Sequence, residues 1–125
     1  MIAPNCGPFA VSVLTGTPVN EMMSYFKESF KYGGNWKGRT RGDQVPATLR
    51  KFNVLVTLSP ATKTLAKFAQ SEANPQQKYL VRVAGHWVSI IGGDIVDQHG
   101  TLAPAKHHRR KARLKDVYLV KEQRV

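Results

Sequence analysis

A single cysteine, Cys6, is all that this chain of 125 residues contains. A lone thiol excludes an intrachain disulfide, and it excludes the paired Cys-x-x-Cys spacing of structural zinc sites. The lack of a disulfide fits a reducing, cytoplasmic setting. No apolar run approaches the roughly 20 residues of a membrane span, so no membrane association is expected. The opening MIAPNCGPFA has neither a basic n-region nor a long apolar stretch, and no signal peptide is expected. Acidic residues are scarce, 8 against 19 basic ones, leaving a net charge of +11. Such a field attracts anionic partners and speeds encounter with them without choosing a fold. Repeats, linkers and breaks in composition are also missing. The length and the 42% hydrophobic content suit one domain, 1–125, with a real core.

What is present reads as helices first and strands second. Pro8 suits a first helical turn and Gly16 a stop, which predicts a helix carrying Cys6 at its start. Thr17-Pro18 opens a second helix with Val19, Met22, Met23, Phe26 and Phe30 as its buried stripe. Gly33-Gly34 breaks it, and 35–42 reads as an exposed loop in which Trp36 sits among three cations, either a plain connection or an anion-binding wall. Asp43 caps a third helix through Phe52. A strand follows over 54–58, and Ser59-Pro60 starts a helix containing Leu65 and Phe68. Strands are then predicted over 79–83, 86–91, 95–97 and 117–120, with Gly92-Gly93 as a hairpin turn. The pattern is α+β, with an antiparallel sheet of about four or five strands and the Cys6 helix on its face.

A two-residue turn at Gly92-Gly93 sets Ile91 opposite Asp94. His86, Val88, Ile90, Ile95 and Asp97 then share one face of the hairpin. Asp97 lies diagonal to His86, within reach of an imidazole nitrogen. The same register puts His99 opposite His86 as a competitor. A cysteine at a helix start can be an activated nucleophile, since unpaired N–H groups there favour a thiolate and can hold an oxyanion. It can equally be a small buried hydrophobe. His99, His107 and His108 could bind a metal, but such a loop reads as solvent-facing, and neither a metal nor another cofactor is expected.

The segments Asn5-Cys6-Gly7-Pro8-Phe9-Ala10, Gly85-His86-Trp87-Val88 and Ile95-Val96-Asp97 together resemble the C39-like branch of the papain-like cysteine peptidases. The chain is also similar to small bacteriophage proteins of that superfamily. The resemblance implies a papain-like fold reduced to a minimal peptidase core. It implies a thiol hydrolase that cleaves a peptide or amide bond of a protein substrate in a host bacterial cytoplasm. Cys6 would be the nucleophile, His86 the general base and Asp97 its orienter. The family's oxyanion glutamine has no counterpart among residues 1–5; the Asn5 side chain and the Cys6 N–H are the candidates.

The cation run over 106–115 is the other feature. Arg109, Arg110, Lys111 and Arg113 form a candidate anion-binding stretch for nucleic acid or an acidic protein, though no nucleic-acid motif accompanies it. A non-enzymatic binding or inhibitory protein is therefore the competing expectation.

Overall fold

The computed structural model describes residues 5–122; the expectation for the opening of the chain lies, over residues 1–4, outside the described residues. Helix α1 (Cys6–Thr15) ends where predicted, because Gly16 takes the left-handed φ of 77° that closes a helix cheaply. Helix α2 (Val19–Ser29) buries only Met22 and Phe26 of its predicted stripe. Helix α3 is shorter than expected, Gln44–Leu49. Strand β1 (Asn53–Leu58) follows.

The helix expected at Ser59-Pro60 starts later. Residues 59–63 are irregular, and Thr64 is the N-cap of the short α4 (Leu65–Lys67), its side chain accepting from the Lys67 N–H. A wide turn over Phe68–Glu72 continues it. The Glu72 carboxylate accepts from the Ala61 and Thr62 amides at 2.9 and 2.7 Å and so ties this irregular segment to the turn that follows α4.

Strands β2 (Lys78–Val83), β3 (His86–Ile91) and β4 (Asp94–Asp97) match the sequence reading within a residue. The hairpin register is the expected one, with Ile91 opposite Asp94, Ile90 opposite Ile95 and Ser89 opposite Val96. Two features were missed. A short strand β5 (Gly100–Leu102) pairs with β4, and the last strand, β6 (Leu114–Glu122), is much longer than 117–120. The result is an antiparallel six-stranded sheet in the order β1-β6-β2-β3-β4-β5. The closing strand slots between the first and second.

Both faces of this sheet are covered, which makes the fold α+β in three layers. On one face Leu80, Trp87 and Val120 pack with Ala10, Val11 and Leu14 of α1, Met22 and Phe26 of α2, and Val45 and Leu49 of α3. On the other, Tyr79, Val81, Val83, Val88, Ile90, Ile95 and Val117 pack with Leu65, Phe68 and Ala69. The residues of β3 alternate between the two cores, so the strand reads as a continuous apolar run although its period is two. Among the described residues no helix is long and apolar enough to cross a membrane.

Candidate functional site

The two-residue period of a strand decides what His86 can meet. Ser89 donates to the Ala10 carbonyl at 3.3 Å, which fixes α1 on the Ser89 face of β3. His86, three residues away, points to the opposite face; it is paired with Val83, a member of the second core. Cys6, at the start of α1, packs partly buried against the first core. The expected Cys6–His86 pair is therefore not assembled. The sheet lies between them, and among the described residues no hydrogen bond joins Cys6 to a histidine.

The start of α1 is also covered. Gly38, at φ 109°, lies so close that a Cβ there would come within 2.5 Å of the Asn5 Cβ, and a Cβ on Gly7 would meet Thr40 Oγ1 at 2.8 Å. The loop over 35–42 thus packs on the helix N-terminus. Asn5 Oδ1 is buried without a hydrogen-bond partner among the described residues. That crowding is the physical reason against the expected oxyanion hole of Asn5 and the Cys6 N–H: a substrate carbonyl would have to displace the loop. Trp36 stacks on Tyr32 at 4.5 Å and donates its indole N–H to the Arg39 carbonyl, so the loop carries its own aromatic support.

The structure does bring His86 and Asp97 together, as the register implied. Both are about 2% exposed, and His86 Nε2 lies 3.5 Å from Asp97 Oδ2. At that length no hydrogen bond forms, and His86 Nε2 is a buried nitrogen without a partner. The closer partner of Asp97 is His107, whose Nε2 sits 2.8 Å from the same oxygen. The His107 Nδ1 accepts the Arg109 N–H at 3.0 Å, so in the neutral ring the proton is on Nε2, which donates to Asp97. Asp97 Oδ1 accepts from the His99 N–H at 2.9 Å, an Asx turn that holds the carboxylate at the β4–β5 corner.

His108 completes the group. Its ring stacks on His107 at 4.3 Å and meets His86 and His99 edge-on at 6.0 and 5.6 Å. All four histidines of the chain thus gather about one buried carboxylate. Electrostatics follow from burial. The pKa of His86 is lowered, by burial first and also by the charges of Arg109 and His108, against the Asp97 carboxylate, which raises it. For Asp97 burial works upward, but the His99 amide, His107 and His86 all work downward, and the carboxyl is held below its ordinary range. The pKa of His108 is lowered, by desolvation first and then by His107.

The expectation of a solvent-facing histidine loop is corrected in part. His99 and His108 are exposed, whereas His107 is fully buried. Its ring is held inward by Asp97 at Nε2 and by the Arg109 amide at Nδ1, with the exposed His108 ring stacked against it. The His-His pair was the one signal in the sequence, and composition could not say which member faces Asp97.

The cation stretch over 106–115 is held against a distant segment. The Leu65 N–H donates to the Ala112 carbonyl and the Ala66 N–H to the Arg110 carbonyl, each at 3.0 Å, while the Leu114 N–H donates to the Lys63 carbonyl at 3.0 Å. Thr64 and Arg113 form an isolated bridge. Lys63 and Lys67 are thereby brought to the candidate residues Arg110, Lys111 and Arg113, all exposed, while Arg109 is half-buried and reaches the Ala84 carbonyl. Lys63, Arg113 and Lys115 line one open pocket of about 270 Å³. Among the described residues the carboxylate ion pairs of lysine and arginine are Arg41–Asp43 and Arg82–Asp116, and none belongs to this seam. In comparisons with protein-family models, curated proteins and solved structures nothing matches this chain, so its sites are read from their own geometry.

Proposed function

We propose that this chain is a nucleic-acid-binding protein that holds phosphates along the seam between residues 63–67 and 106–115. The observation that carries the reading is that, among the described residues, none of these cations forms an ion pair with a carboxylate. Cations from two distant segments are stitched together by backbone hydrogen bonds and left without ion pairs. The backbone pairing sets these cations side by side on one surface, where phosphates of one nucleic acid can meet several of them. Backbone anchoring also lowers the ordering cost of binding, since the cations are already presented. The scaffold, with helices preceding antiparallel strands and Cys6 opening α1, is read as a papain-like core used for binding. A thiol hydrolase would need an imidazole on the Cys6 side of the sheet, and all four histidines gather on the Asp97 side.

The test is a titration of labelled single- and double-stranded oligonucleotides across salt concentrations. Binding should weaken steeply with salt. Replacing Arg110, Lys111 and Arg113 together by alanine should flatten the log–log salt slope by about 2 to 3, as loss of that many phosphate contacts requires. An unchanged slope in a folded triple variant would refute the nucleic-acid reading. Salt-sensitive binding to polyglutamate but not to oligonucleotides would transfer the seam to an acidic protein.

A further inference from the structure

We infer that His86, Asp97 and His108 form a binding site for a divalent transition-metal ion of the zinc class, on the sheet face opposite Cys6. One ligand atom from each of the three lies within 4.8 Å of the others. An ion with bonds of about 2.0–2.1 Å draws its ligand atoms to roughly 3.3 Å, so closure takes side-chain shifts on the order of 1 Å. His108 is exposed and supplies that movement by rotation.

Two imidazoles and one carboxylate form a borderline donor set that suits zinc, and through the Irving–Williams order also nickel and copper, over the all-oxygen shells that magnesium and calcium prefer. A second observation points to a ligand. His86 Nε2 is buried with no hydrogen-bond partner among the described residues, an arrangement that costs stability unless something accepts its lone pair. A metal cation does so.

The surroundings are those of a supported metal ligand. His107 donates to Asp97 Oδ2 and the His99 amide to Oδ1, so the carboxylate is oriented by two donors. His107 is in turn fixed by the Arg109 amide. It is a positioning residue here, since both of its ring nitrogens are already engaged. Three protein ligands leave the outer side of the ion to water.

The experiment uses the untagged full chain, stripped with a chelator and titrated with Zn(II) by calorimetry and with Co(II) by visible absorption. One equivalent should bind, with cobalt bands of a low-coordinate nitrogen–oxygen site, and zinc should raise the melting temperature. His107→Gln should weaken affinity by about 10- to 100-fold and leave the stoichiometry at one. His86→Ala and His108→Ala should each lose more than that, and Cys6→Ser should change nothing. His108 is exposed, so its variant folds and decides the matter even if His86→Ala does not. No stoichiometric binding by the parent, binding that survives His108→Ala, or binding that vanishes with Cys6→Ser would each overturn the site. The outcome is independent of oligonucleotide binding.

Discussion

At the scale of single residues, Cys6 and His86 show how little separates a catalytic pair from two unrelated side chains. Each sits where a thiol mechanism wants it along its own element, one opening a helix and one opening a strand. The parity of the strand then sends the imidazole away from the helix. The consequence is measurable: His86→Ala should leave the rate of Cys6 alkylation by iodoacetamide within about twofold of the parent across pH, since a general base acts only within hydrogen-bond reach. A large, pH-dependent drop would reinstate the pair. Asp97 was legible as a partner of His86 because a glycine turn sets the hairpin register. His107 was not, because its approach depends on a loop returning from β5 past a 3-10 turn at Pro104–Lys106, and no local spacing encodes that path.

At the scale of elements, the N-terminal end of α1 and the loop over 35–42 act as one packed unit. Gly38 is the contact point, and only glycine combines its φ of 109° with the space left by Asn5. Gly38→Ala should cost about 1–3 kcal/mol in a denaturant titration, through strain and the need to move Asn5. Gly34, just before that loop, has nothing within 4 Å of where a Cβ would stand, and Gly34→Ala should change stability by less than about 0.5 kcal/mol. Equal costs at the two positions would mean that the loop does not seal the helix start. Helix α2 illustrates the limit of stripe reading: five apolar residues fit the period, but Val19 lies exposed and Met23 and Phe30 only partly covered.

For the whole molecule, the charge balance sets conditions on stability. With 19 basic against 8 acidic residues, and the cations of the 63–67 and 106–115 seam without ion pairs among the described residues, the folded state repels itself. The melting temperature should therefore rise as sodium chloride is raised from about 10 mM to about 150 mM, over which the screening length shrinks from roughly 30 to 8 Å. Differential scanning fluorimetry reads this directly. A flat or falling curve would mean that the charges are compensated by contacts not seen among the described residues.

The amino-acid order alone determined the elements that depend on near neighbours: α1 with its glycine stop, the β3–β4 hairpin and its register, and the helix-then-strand sequence that makes the fold α+β. These are governed by backbone sterics and by periods of two and 3.6 residues, which are local properties. Tertiary structure alone decided the placement of β6 between β1 and β2, the β5 edge, the covering of both sheet faces, and hence which side of the sheet each functional side chain occupies. Cys6 and the four histidines were all visible in the sequence. Their separation by a sheet was not, because it follows from which face of β3 the helix α1 settles on, and that is chosen by the sum of apolar contacts across the molecule.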